Sequence, residues 1–165
     1  MINCDEDADC KIVEVALTAS KLQDSCTLVV ADDTDIFVML LYHWQTEMND
    51  IFLFQTRSRR TWSIKKCQNE IATIKEHLLF AHAFTGCDTT SAVFAKGKGN
   101  FVKLLRKSVN LQNASRVMSN FNSAPDDVGS ASLTAFKVFY GGSVQQSLSE
   151  IRLAFVLILS ICINQ

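Results

Sequence analysis

Proline occurs once and glycine six times in 165 residues, far too seldom for a collagen-like or low-complexity chain. With 48% apolar and 20% charged residues, the composition also excludes a disordered tail as the main character of the protein. A formal net charge of only −1 excludes a histone-like or strongly acidic protein. None of the six cysteines belongs to a C-x-x-C pair, so they read as small core residues in a reducing compartment and not as a zinc or disulfide framework. Acidic residues begin at Asp5, where a signal peptide would need an apolar stretch, and the expected location is intracellular and nuclear. The longest apolar run, Leu153 to Ile163, would rise only ~16 Å as a helix, about half the hydrocarbon thickness. It reads as a buried helix or a truncated end, with no membrane as partner.

What the chain does have is segregated charge. Residues 1–50 carry eleven acidic side chains against Lys11 and Lys21, a net of −9, whereas residues 51–108 carry eleven basic side chains against Glu70, Glu76 and Asp88, a net of +8. A cation-binding pole and an anion-binding surface in one domain would suit an enzyme acting on a polyanion. Mutual neutralisation across the fold is the equally weighted alternative.

The length fits one domain with a single core, without internal repeat or linker. Ile12, Val13, Ala16 and Leu17 recur at helical spacing over Asp9 to Leu22. Cys26 to Ala31 is a short β-branched run of the buried, parallel-sheet kind, and Ile36 to Trp44 follows as a short helix. Ile51 to Gln55 and Thr61 to Ile64 flank the basic stretch Arg57 to Arg60 as a hairpin pair. Asn69 to Thr85 predicts one helix stopped by Gly86, Asn100 to Lys107 another, and Ala124-Pro125 starts a third that Gly141-Gly142 breaks. The order predicts an α/β portion, residues 1–92, followed by a helical lobe, residues 93–165.

Five carboxylates occupy three suggestive places. Asp7 and Asp9 lie at a helix start, Asp33 and Asp35 follow the end of the buried strand, and Asp88 sits in a turn after a helix. Ligand sites of open α/β sheets form outside the carboxyl ends of strands. Clustered hard oxygens select magnesium or manganese, and two such ions about 4 Å apart can activate a water and stabilise the leaving oxygen of a phosphodiester. Each pair taken alone is more often a helix cap or a turn.

Asp7-Ala-Asp9, the segment Val29 to Ile36 and the segment His82 to Ser91 resemble three internal motifs of the PIN-like, flap-endonuclease-type 5′ nucleases. The string Thr85-Gly-Cys-Asp-Thr-Thr-Ser91 most resembles the divergent PIN-like domains of transposon-associated animal proteins. The resemblance implies a Rossmann-like parallel sheet with helices and a two-metal nuclease. Asp7, Asp9, Asp33, Asp35 and Asp88 would hold Mg2+ or Mn2+, and Asp33, Asp35 and Asp88 would be catalytic. Asp5 and Glu6 are register alternatives for the first pair. Lys96-Gly97-Lys98-Gly99 resembles the glycine-rich turn of a helix-two-turn-helix element that grips a phosphate, with Ala95 where its first glycine usually stands. Arg59 and Arg60 would be further phosphate contacts, and the partner would be nucleic acid, DNA in preference to RNA.

The family's fold opens with a strand, carrying another metal ligand, ahead of the first acidic motif. The expectation is therefore an N-terminally incomplete domain that cuts weakly or not at all, or a non-catalytic nucleic-acid-binding or scaffold remnant. A strand followed by Asp33-x-Asp35 also opens haloacid-dehalogenase-like phosphotransferases, but Gly86-Cys-Asp88 lacks their downstream Gly-Asp-x-x-x-Asp spacing. His82 reads as a hydrogen-bonded core histidine or an orienter of Asp88, and Trp44 and Trp62 read as core residues or base-stacking surfaces.

Overall fold

The computed structural model describes residues 7–22, 26–87, 97–143, 145–147, 149–151 and 153. It is an α/β chain with a small mixed sheet and mostly helices. Two compact units divide it, residues 1–79 and 80–165, with the boundary inside the helix Leu78–Phe84.

In the first unit, α1 spans Ala8–Ala19 and buries Val13 and Ala16, one turn apart on a single face. Ser20 ends it, turning its hydroxyl back to the Leu17 carbonyl at 2.7 Å. The Ser20 carbonyl accepts the Asn49 N–H at 2.8 Å, and the Asn49 amide donates to the Leu22 carbonyl at 2.7 Å. The foot of α1 is thereby fixed to a loop 27 residues onward.

Strand β1, Thr27–Val30, pairs in parallel with β2, Ile51–Gln55, in the register Thr27↔Ile51 through Val30↔Phe54. Parallel neighbours need a crossover, and α2, Thr34–His43, supplies it. Its apolar sequence buries Ile36, Val38, Leu40 and Leu41, as a helix laid across a sheet must. Trp44 closes it, 1% exposed, with its indole N–H on the Asn49 carbonyl at 3.0 Å. β2 returns through Thr56–Arg59 into the antiparallel β3, Arg60–Ser63. Arg59 takes φ +52°, the left-handed conformation that lets this short connection close. The Val29, Leu53, Ile64 and Leu78 side chains join those of α1 and α2 in one core.

The single helix expected over Asn69–Thr85 is interrupted. α3, Ile64–Glu70, begins directly from β3, a 3-10 helix runs Ala72–His77, and α4 covers Leu78–Phe84. Ile71 leaves the helical region at φ −108°, ψ 10°. The tighter 3-10 winding eclipses residues three apart, so Ile74 and His77, each 1% exposed, both point inward. β-Branched Ile71, Thr73 and Ile74 resist an α-helix at this point. Two reaching side chains hold the break in place: Gln68 donates to the Leu41 and Trp44 carbonyls at 2.8 and 2.7 Å, and Lys75 donates to the Trp44 carbonyl at 2.8 Å.

The second unit holds α5, Lys98–Lys107, α6, Val109–Met118, and α7, Pro125–Tyr140. Phenylalanines build its core: Phe84 lies 5.2 Å from Phe101 and 4.7 Å from Phe136, and Phe101 meets Phe139 edge-on at 4.9 Å. Pro125 opens α7 and Gly141, at φ +83°, closes it, as expected from the sequence. Of the apolar run Leu153 to Ile163, only Leu153 is among the described residues. No helix among them is long and apolar enough to cross a membrane.

Candidate functional site

Both Asp-x-Asp pairs open helices. Asp7 is the N-cap of α1, and its Oδ1 accepts the Asp9 N–H at 3.1 Å. Asp33 is the N-cap of α2, and its Oδ1 accepts the Asp35 N–H at 2.8 Å. The cap geometry follows from the sequence, because a short carboxylate in extended backbone can satisfy a first-turn amide and the positive end of the helix dipole favours acids there.

Asp33 follows the last residue of β1 by three positions, so the cap of α2 stands at the carboxyl end of that strand. A groove lined by Ala8, Lys11, Ile12, Val15, Ala16 and Ala19 from α1 and by all four residues of β1 shows the two elements side by side. α1 and α2 also pack on each other.

Asp7 is exposed, and Asp9, Asp33 and Asp35 are half-buried. Among the described residues no three His, Cys, Asp or Glu side chains stand as a group that could hold a metal ion. Asp5, Glu6, Asp88, Ala95 and Lys96 lie outside the described residues. The donor chemistry of the four described carboxylates suits a hard divalent cation, with one oxygen of Asp7 and one of Asp33 already engaged by the caps.

The acidic residue just before Asp33 has a separate task that sequence reasoning missed. Asp32 accepts the Thr56 hydroxyl on Oδ2 and the Arg57 backbone N–H on Oδ1 at 2.9 Å, tying the end of β1 to the hairpin turn. The Thr56 hydroxyl, then the Arg57 amide, hold its carboxyl below the ordinary carboxylate value. Asp50 does similar work, receiving the Ser63 hydroxyl and the Lys65 N–H, while Ser63 caps α3. Sequence offers only a faint signal for either latch, since their partners stand 25 and 15 residues away.

Arg59 and Arg60 are both exposed on the hairpin of the first unit. In the second unit the helix expected from Asn100 begins earlier, at Lys98, with Gly97 as its N-cap in extended backbone. Lys98 and Gly99 thus belong to the first turn of α5, and neither Gly97 nor Gly99 adopts a positive φ. The Lys98 ammonium lies 3.3 Å from His82 Nδ1, so His82 is half-buried and hydrogen-bonded within its own unit. α5 carries Lys103, Arg106 and Lys107 and no acid.

Trp44 is core, and Trp62 is half-buried with its indole N–H on Gln55 Oε1 at 3.0 Å. The cysteines differ from expectation. Cys67 packs partly against the core, and burial, with Glu70 and Asp50 nearby, raises its thiol above the ordinary value. Cys10 and Cys26, however, are exposed, because Cys10 precedes the buried stripe of α1 by a turn and Cys26 precedes β1. The buried His77, whose Nε2 lies 3.0 Å from Glu76 Oε1, carried no signal in the sequence beyond its residue type.

No protein-family model matches the chain, and no curated protein and no solved structure matches it.

Proposed function

We propose that the chain is a PIN-like, metal-dependent nuclease domain acting on nucleic-acid phosphodiesters, DNA in preference to RNA, in the nucleus. One observation supports this reading: the Asp-x-Asp pair Asp33/Asp35 opens α2 just beyond the carboxyl end of β1, the place where open α/β sheets bind ligands. Asp33 and Asp35, with Asp7 and Asp9, would hold Mg2+ or Mn2+, which would activate a water and stabilise the leaving oxygen. Arg59 and Arg60 would take phosphates by paired N–H donation.

The test is release of labelled fragments from flap and single-stranded DNA with manganese, comparing the chain with Asp33→Asn and Asp35→Asn. Cleavage abolished by both substitutions supports the reading; cleavage that survives them sinks it.

A second reading, a non-catalytic nucleic-acid-binding module of the same fold, is favoured by the commitment of Asp7 and Asp33 to caps. It predicts DNA binding without cleavage, and binding unchanged by chelation of divalent cations.

A further inference from the structure

Ile12 and Val15 of α1 and Leu28 and Val30 of β1 are exposed by 42%, 43%, 60% and 60%. They are four of only ten large apolar side chains exposed among the described residues, and all four line one groove of about 460 Å³. The groove runs along a sheet edge. β1 pairs with β2 on one side and with no strand on the other among the described residues. The Ala31 N–H donates to the Phe54 carbonyl at 3.1 Å, so the backbone groups of Val29 and Ala31 face β2. By the alternation of a strand, those of Leu28 and Val30 face outward, two donors and two acceptors beside an apolar trough.

Natural edges are guarded by charge, proline, bulges or a covering element. Cys26 to Ala31 contains no charge and no proline, and its pairing with β2 runs without a bulge. Thr27 Oγ1, at the start of this strand, is the one buried side-chain polar atom without a partner among the described residues.

We propose that this edge joins a second copy of the chain, β1 pairing antiparallel with its two-fold mate about Val29 to make one continuous six-stranded sheet. Self-complementary charge identifies the occupant. A two-fold axis there sets α1 antiparallel to its copy. The acidic start of each helix, Asp7 and Asp9, then approaches Lys21 at the end of the other. Lys21 is exposed and makes no ion pair among the described residues. The interface is isologous, so every contact occurs twice. Leu28 of one copy faces Val30 of the other, an apolar cross-strand pair that contributes in both directions.

Sedimentation of the full 165-residue chain over a concentration series tests this, beside Val30→Lys and the double variant Leu28→Cys/Val30→Cys. A dimer is expected for the unaltered chain, with association weakened at least tenfold by Val30→Lys and circular dichroism unchanged. Val30 is exposed, so lysine costs the monomer little. Under oxidation the double cysteine variant should yield a covalent dimer that Leu28→Cys alone does not. A monomeric unaltered chain overturns the proposal and leaves the edge to some other strand. A dimer indifferent to Val30→Lys overturns it too.

Discussion

Arg57 donates its backbone N–H to the Asp32 carboxylate at 2.9 Å across 25 positions of sequence, and the Thr56 hydroxyl completes the latch. Its strength depends on ionisation. The folded-state pKa lies below the ordinary carboxylate value, so the contribution is fully present above the unfolded value and is lost as pH falls through the folded one. Asp32→Asn should therefore lower the melting temperature at neutral pH, and the gap to the unaltered chain should close under strongly acidic conditions. Melting curves from neutral pH down to pH ~2, well below the ordinary carboxylate value, provide the check; a gap that stays constant throughout would show that ionisation is irrelevant to the latch.

Gln68 is 7% exposed and satisfies two carbonyls at the end of α2. Truncation in Gln68→Ala leaves both acceptors under-satisfied in a dry place and opens a void. The expected loss is about 2 to 3 kcal/mol of unfolding free energy. Urea titration followed by tryptophan fluorescence suits the measurement, because Trp44 shares one of the carbonyls.

Arg59 combines a left-handed backbone with an exposed charge. In Arg59→Gly the strain disappears and the charge goes with it. The hairpin should keep or slightly gain stability, by up to about 1 kcal/mol, since glycine occupies this conformation without steric cost. If Arg59 touches a phosphate, the salt-dependence slope of DNA binding should fall by about 0.7 to 0.9, and by about twice that when Arg60→Ala is added. Unchanged slopes would leave both arginines as a solvated face.

Cysteine reactivity should separate by burial. Cys10 and Cys26 are exposed, whereas Cys67 is half-buried with a raised thiol pKa. Alkylation by iodoacetamide near pH 8, followed by peptide mass spectrometry, should modify Cys10 and Cys26 first and Cys67 at least several-fold more slowly. Equal rates at all three would contradict the partial burial of Cys67 against the core.

What the sequence makes legible is local. Asp7 and Asp33 announce α1 and α2 because a cap and the amide it satisfies sit two residues apart. The uncharged run of β1, the hairpin pair around Arg57 to Arg60, and Ala124-Pro125 before α7 are equally short-range signals and are found, although β3 runs Arg60–Ser63 where Thr61 to Ile64 was expected and Ile64 opens α3 instead. The broken helix after Glu70 is not, because the groups that hold it, Gln68 and Lys75, act on the Leu41 and Trp44 carbonyls 24 to 31 residues earlier. The start of α5 at Lys98 escapes for another reason: Gly99 disfavours a helical first turn intrinsically, and the buried Phe101 and Leu105 outweigh it. For the candidate site, residue types and caps can be read from the chain, whereas the tie of Asp32 to Thr56 and Arg57 cannot, because it joins groups 24 and 25 positions apart.

The strands lie side by side in the order in which the chain makes them, β1, β2, β3. Assembly of the sheet therefore has a natural sequence. Gln55 and Arg60 need to close only a four-residue loop, and hairpins of that kind form in ~1 to 10 µs. β1 must bring Thr27 to Ile51 across the whole of α2, a longer closure with a larger entropic cost before any ladder bond rewards it. Kinetically, the hairpin is the template and β1 the late arrival. Mutations in Phe52, Phe54 or Trp62 should thus slow refolding, whereas mutations in Leu28 should chiefly hasten unfolding.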